Sequence, residues 1–460
     1  MPLGRTWQVV AGSAAIGLAV AGGTIAAAGP WESGQRTAER SFAVARDRQL
    51  EVAARPVPKP APAPPPAAAP VLLPVPVVAG AASAPGAAPL TARLDRLIAA
   101  PGLGTVRTGA VVDVASGQLL YGHHATTVST PASTTKLATA VAALTTLGPG
   151  HRLTTSVVSD AADPGRIVLV GGGDPTLVLD GLADDTARAL KAGGTTAVVL
   201  AYDTSFFAGP ALHPIGPNEN LAPVTALMAD EGRLDKSGSG PAPRAADPAG
   251  AAAAGFAALL AERGITVKGA PRAGSGAGGT PLAVHRSAPL SDLVERMLTD
   301  SDNDLAEALA RQTARAAGLP ANFAGGAKAI RAVLAHDAVP LGGAVFTDGS
   351  GLDHADSLAP LTLARILALA ASPAHPELRP ILTGLPVAAF TGTLSARFHA
   401  SPGAGVVHAK TGTLTGTNTI AGTTVSRAGR LLAFSFMTQG AGDPAAAQGA
   451  LDNLASALTE

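Results

Sequence analysis

The 460-residue chain contains no cysteine. That absence removes disulfides, thiol nucleophiles and zinc-thiolate sites together, so the fold must rest on a core and covalent catalysis needs another nucleophile. Charge is scarce: charged residues make up 14% of the chain and the formal net charge is zero. With no basic run and no interleaving of aromatic and basic residues, nothing in the composition points to a nucleic-acid partner. Aromatic residues are only 3%, beside 54 glycines and abundant alanine, a bias that reads as coding composition rather than function. No glycine-rich phosphate loop and no carboxylate–histidine cluster stands out, so neither a cofactor nor a metal is expected. His123 and His124 adjoin on a strand and would face opposite ways, and they and His408 are expected to have surface or packing roles.

What is present begins at the N-terminus. Residues 6–30 carry no charge and follow Arg5, the pattern of a targeting segment that takes the rest of the chain out of the cytoplasm. The stretch is long enough to span a bilayer, while Ala26-Ala27-Ala28 would suit signal peptidase, so residues 1–30 fit either a cleaved signal or a retained anchor. Residues 31–90 follow as a linker; its repeated prolines deny helix and sheet hydrogen bonds and make an extended spacer.

The folded body starts near Leu90. A helix around Leu94–Ala100 leads into a β-hairpin over Gly109–Tyr121, and Pro131 precedes a helix from about Ser133 to Leu147. From 151 to 284 short strand-like runs alternate with loops and two helices, which reads as one mainly-β domain inserted into the main one. Residues 91–150 and 285–460 then form the principal domain. Its second part is helical up to about Ala371 and closes with strands near Val406–Ala409, Thr419–Val425 and Arg430–Met437 and a helix from Pro444. A terminal antiparallel sheet joined by the first hairpin and flanked by helices is an α+β plan.

The chain has seven lysines, and only Lys136 has a serine three residues before it, in Ser133-Thr134-Thr135-Lys136. That spacing at a helix start puts a hydroxyl and an amine on one face, one turn apart. A neutral amine there can take the serine's proton as the hydroxyl attacks a carbonyl, without a histidine. Two further elements follow in order, Ser301-Asp302-Asn303 between two helices and Lys410-Thr411-Gly412-Thr413 after a strand. The ordered set is the signature of penicillin-binding proteins and serine β-lactamases. Gly412 would leave room for substrate against the strand backbone. Lys236-Ser237-Gly238 also fits the looser Lys-Ser/Thr-Gly form, but it sits in a Gly/Ser/Pro loop with no strand before it and is rejected.

The flanking residues narrow the resemblance. Pro131–Lys136, Gly171-Gly172-Gly173-Asp174-Pro175-Thr176-Leu177, Ser301–Asn303, Asp348-Gly349-Ser350-Gly351-Leu352 and Ala409–Leu414 resemble the class C low-molecular-mass penicillin-binding proteins, the peptidase S13 family of D-Ala-D-Ala carboxypeptidases and endopeptidases. The Gly-Gly-Gly-Asp and Asp-Gly-Ser-Gly runs are expected to be structural turns. Two departures stand out. The 168 residues from Ser133 to Ser301 are more than a plain β-lactamase needs but few for two nested inserts, and Asp353-His354 follows Leu352 where the family often has a serine.

The resemblance implies a serine β-lactamase/DD-peptidase-like fold and assigns roles. Ser133 attacks the carbonyl of the penultimate D-Ala of a peptidoglycan stem peptide, Lys136 is general base, and Ser301 relays a proton to the leaving amine. Asn303 binds the substrate peptide or Lys136, and the backbone N–H groups of Ser133 and Thr413 form the oxyanion hole. Lys410, Thr411, Gly412 and Thr413 bind substrate, the two threonines and the lysine at its terminal carboxylate. β-Lactams would acylate Ser133, and the membrane would be met only through the N-terminal segment. A β-lactamase is the nearest rival, yet no Glu-x-x-x-Asn element lies between the second and third motifs; Glu307 and Glu377 both lack the asparagine. A non-catalytic wall-binding protein is the other, and the intact motif residues argue against it.

Overall fold

Period-two alternation in the closing strands sets the layering of this molecule, a computed structural model that describes residues 90–460 apart from positions 161, 162, 164 and 236. The expected targeting segment and proline-rich spacer lie outside the described residues. Helix α1 (Leu90–Ile98) leads into β1 (Val106–Asp113) and β2 (Leu119–His123), which pair antiparallel. A 3₁₀ turn, Ala132–Thr135, then opens α2 (Lys136–Leu147), which Gly148 ends at φ 81°.

The next stretch builds a second sheet from β3 (Thr154–Ser159), β4 (Arg166–Val170), β5 (Ala197–Asp203), β6 (Thr266–Val267), β7 (Arg272–Ala273) and β8 (Thr280–Arg286). Strand β3 pairs antiparallel with β4 and β8, whereas β4 and β5 run parallel, as do β5 and β6. Parallel neighbours need a crossover, and α3 (Leu179–Ala192) and α4 (Pro248–Glu262) supply the two. Phe256, Leu260, Leu182 and Leu190 of these helices cover Val157, Ile167, Leu169 and Leu200 of the sheet. This β-rich module thus carries its own core.

The chain then returns to helices: α5 (Leu290–Thr299), α6 (Asn303–Ala316), α7 (Phe323–His336), α8 (Pro360–Ala370) and the short α9 (Arg379–Thr383). Strands β9 (His408–Leu414), β10 (Thr417–Val425) and β11 (Leu431–Gln439) complete the first sheet in the order β2-β1-β11-β10-β9, and α10 (Pro444–Ser456) follows. Along β11, Leu432, Phe434 and Phe436 pack on one face with residues of α1 and α10, and Ala433 and Met437 on the other with the helical cluster. The result is a helix–sheet–helix sandwich in the α+β class.

Helix α2 sits inside that cluster and is buried from Lys136 to Leu144 on every side. Its alanines make this possible, because small side chains let α6 and α7 approach closely. The alanine content is therefore put to structural use here. Among the described residues no helix is long and apolar enough to cross a membrane.

Candidate active site

Ser133 lies in the 3₁₀ turn, not in the α-helix proper, and Lys136 is the first residue of α2. Ala132, just before the serine, has φ 48°, a left-handed conformation that costs a non-glycine residue roughly 1–3 kcal/mol. Two glycines hold it there. A Cβ on Gly351 would lie 2.0 Å from the Ala132 carbonyl oxygen, and one on Gly412 would lie 2.8 Å from the Pro131 oxygen and 3.1 Å from Ala132 Cβ. The turn is thus boxed between β9 and the Asp348–Gly351 loop.

Lys136 Nζ is 3.1 Å from Ser133 Oγ and donates to Asn303 Oδ1 at 2.6 Å and to the Ser350 carbonyl at 2.8 Å. Burial pushes the Lys136 amine down to about 8, against the pull of Asp348, Asp302, Glu307 and Asp304, which favour its charged form. A neutral amine has two N–H donors and one lone pair. Asn303 Oδ1 and the Ser350 carbonyl can only accept, so the lone pair is left for the Ser133 hydroxyl. Asn303 Nδ2 donates to the Asn220 carbonyl at 2.9 Å, which fixes the amide's orientation.

The Ser301 turn joins α5 to α6. Asp302 caps α6, its carboxylate accepting from Leu305 N at 2.9 Å, and the cap lets Asn303 start the helix pointing at Lys136. Ser301 has φ 60°, a second strained residue beside the cleft. Charges tie this turn to the module. Arg296 of α5 pairs with Glu231, and Arg244 pairs with Asp304 at 3.0 Å. Arg233 donates to Glu231 at 2.8 Å.

Strand β9 forms the other wall. Lys410 is fully buried beneath it and donates to the Thr411 carbonyl at 2.7 Å. Burial and the neighbouring Lys136 push its amine well below the ordinary lysine range. The Lys410 side chain thus lies behind the cleft surface, next to Thr411 and Thr413, which line it. The room expected at Gly412 is filled by the protein itself. A Cβ there would meet Thr419 Oγ1 at 2.2 Å, so its missing side chain admits the sheet's own Thr419 rather than a substrate. Thr419 Oγ1 in turn donates to the Pro131 carbonyl at 2.8 Å.

A cleft of about 450 Å³ opens between these walls. Ser133, Ser301, Asn303, Thr411 and Thr413 line it together, so the three sequence elements meet in one place. Lys136 and Lys410 lie behind its surface. Lining residues that the motifs did not reveal are Asn220, Arg233 and Arg244 from the module and Thr393 and Arg397 before β9. No spacing signal marks them, because each reaches the cleft through a loop. The Gly-Gly-Gly-Asp run pairs with Asp203, Ala226 and Leu227 and turns only after it, at Pro175-Thr176, where Thr176 N donates to Asp174 at 2.9 Å; Gln312 of α6 donates to the Gly172 carbonyl at 2.6 Å. The rejected lysine, Lys236, is outside the described residues.

Among the described residues two groups gather potential metal ligands: His213, Glu307 and Asp348, and Glu231, Asp302 and Asp304. The first set is already engaged, Glu307 Oε1 by Gly349 N at 3.0 Å and Ser350 N at 2.9 Å, and Asp348 by the same Ser350 N and by those of Gly351 and Asp353. The second is neutralised by Arg233, Arg244 and Arg296. Both sets do structural work with hydrogen bonds and arginines.

The comparisons with known proteins agree with this geometry. A family model described as the D-Ala-D-Ala carboxypeptidase 3 (S13) family matches residues 90–239 and 234–459. A carboxypeptidase of Mycobacterium tuberculosis is 36% identical over 405 residues, covering 83% of this chain and 86% of that protein. The carboxypeptidase DacB of Mycolicibacterium smegmatis is 35% identical over 390 residues, covering 80% and 83%. In fold, the crystal structure of penicillin binding protein 4 from Haemophilus influenzae superposes with a TM-score of 0.67 at 23% identity, covering 78% of this chain and 97% of that one.

Proposed function

The chain belongs to the D-Ala-D-Ala carboxypeptidase 3 (S13) family, and from that premise we propose that it acts through an acyl-enzyme on Ser133. It is a serine-type D-Ala-D-Ala carboxypeptidase of peptidoglycan stem peptides, with endopeptidase cleavage of cross-links within the same chemistry, and β-lactams are its covalent inhibitors. The single observation that carries the Ser133 assignment is the 3.1 Å contact between its Oγ and a fully buried lysine amine.

In the forward step the Ser133 proton passes to Lys136 Nζ as Oγ attacks the penultimate D-Ala carbonyl. The backbone N–H groups of Ser133 and Thr413, at the cleft surface, are assigned to the developing oxyanion, an interaction typically worth about 3–4 kcal/mol. Ser301, on the cleft wall, carries the proton to the leaving D-Ala nitrogen. Thr411 and Thr413, with Thr393 and Arg397 beside them, receive the terminal carboxylate. Water then opens the ester, returning the proton and freeing Ser133.

Neither glutamate weighed for a β-lactamase mechanism suits it. Glu307 is fully buried and holds backbone N–H groups, and Glu377 pairs with His375 at 3.0 Å. We read residues 91–150 and 285–460 as the catalytic domain and 151–284 as its insert. The substrate puts the enzyme outside the cytoplasmic membrane, secreted or held there by residues 6–30. Release of free D-alanine from a synthetic acyl-tripeptide ending in D-Ala-D-Ala tests the activity. Rapid turnover of penicillin with no D-alanine release would overturn it.

A further inference from the structure

The Ser350 carbonyl that receives the Lys136 amine belongs to a loop that is held almost entirely by buried side chains. Asp348, 1% exposed, accepts from Ser350 N at 3.0 Å, Gly351 N at 2.6 Å and Asp353 N at 2.9 Å. Glu307 accepts from Gly349 N and Ser350 N, and Thr139 Oγ1 donates to the Gly349 carbonyl at 2.6 Å. Two further side chains reach Asp348: the Asp356 carboxyl hydrogen-bonds it from within the same loop, and the other comes from far away in the chain. His213 lies in the module's loop after β5, 2% exposed, with Nε2 3.0 Å from Asp348 Oδ2.

Its tautomer follows from its other neighbour. Ile215 N donates to His213 Nδ1 at 3.3 Å, so Nδ1 is an acceptor and Nε2 carries the hydrogen that Asp348 receives. The ring is clamped edge-on against Phe323 of α7 at 5.0 Å between centroids. Phe323 is covered in turn by the Arg311 guanidinium at 4.0 Å. His213 has no freedom to serve elsewhere, and it lies outside the three catalytic motifs.

We propose that His213 is a positioning residue for Lys136: by donating from Nε2 to Asp348 it fixes the loop whose Ser350 carbonyl orients the amine. Through this bond the inserted module takes part in assembling the base. The chain of contacts runs from His213 Nε2 to Asp348, through the Ser350 backbone, to Lys136 Nζ and on to Ser133 Oγ. The inference rests on the reading of Lys136 as the base, and deepens it.

The test compares His213→Gln with His213→Asn in the full chain. Glutamine can place its amide nitrogen where Nε2 stands, whereas the asparagine amide reaches only as far as Nδ1 and leaves Asp348 without that donor. The rate of acylation by labelled penicillin and the kcat and KM for D-alanine release are measured for both, with thermal melts as the folding control. The Asn variant should lose roughly 10- to 100-fold in acylation rate and kcat, with KM within about twofold, as for a misplaced catalytic group. The Gln variant should stay within about threefold of wild type on the same reasoning. Equal rates for the two variants overturn the proposal, whether both are active or both impaired. If the Asn variant does not fold, the Gln variant decides alone, and a loss of kcat of about tenfold or more overturns it. Should wild type acylate with penicillin but release no D-alanine, the substrate reading falls while the Gln–Asn contrast still judges His213.

Discussion

Asn303 Oδ1 accepts from Lys136 Nζ at 2.6 Å, the shortest of the three contacts the amine makes. Because the acceptor is an uncharged amide, it holds the amine without drawing a proton onto it. Asn303→Asp would set a carboxylate at the same distance and favour the ammonium form. The rising limb of the acylation–pH profile should then move to higher pH. Each unit of movement lowers the acylation rate about tenfold below the limb. An unshifted limb would contradict the assignment of Lys136 as the base.

In the wild type that limb should stand near 8, where burial has pushed the Lys136 amine. Acylation requires the neutral amine, so the rate should rise with pH through this value and then level. Stability carries the same sign. The folded chain releases the Lys136 proton near 8 and the unfolded chain only near the ordinary 10.5, so the unfolded state binds more protons in between. Stability should therefore rise with pH across that window by an amount that Lys136→Met loses. Urea denaturation of both proteins at pH 8 and pH 10 measures the difference.

Gly412→Ala should cripple the enzyme without touching substrate. The new methyl group would meet Thr419 Oγ1 at 2.2 Å and the Pro131 oxygen at 2.8 Å, both parts of the seat of the nucleophile turn. Such overpacking costs typically about 1–3 kcal/mol of stability. The displaced turn should lower penicillin acylation by roughly 100-fold, the penalty for shifting a catalytic group by about 1 Å. A thermal melt and an acylation time course check the two effects separately.

Glu231→Ala should destabilise the fold and slow turnover together. Glu231 is 1% exposed and faces Arg233, Arg244 and Arg296. Removing one partner of a buried ion pair costs about 3–5 kcal/mol, because the charges left behind are unpaired. Arg296 sits in the last turn of α5, the helix that leads into the strained Ser301, so the loss reaches the proposed proton relay. Chemical denaturation and kcat for D-alanine release should both fall. Unchanged values in both would show that the network is dispensable.

Much of this was legible in the residues. The hairpin, the Ser301 turn between two helices and the closing strands follow from periodicity and from Gly and Pro punctuation, and the ordered motifs converge on one cleft. Three things were hidden. The parallel strands of the module were not readable, since a strand's pattern does not say which neighbour it pairs with or in which direction. The depth of Lys410 was missed because a lysine in a strand reads as an exposed cation, and only packing reveals that it is buried. His213 carries no spacing signal at all; it meets Asp348 across 135 residues through a loop. The Asp-Gly-Ser-Gly run is the turn its residues predict, and it also presents the Ser350 carbonyl to Lys136.

The most direct measurement is peptide mapping by mass spectrometry after brief exposure to penicillin, on wild type and on Ser133→Ala. One penicilloyl group should appear on wild type, on the peptide that contains Ser133, and none on the variant. Label on Ser301 or another residue, or labelling that survives in Ser133→Ala, would contradict Ser133 as the nucleophile.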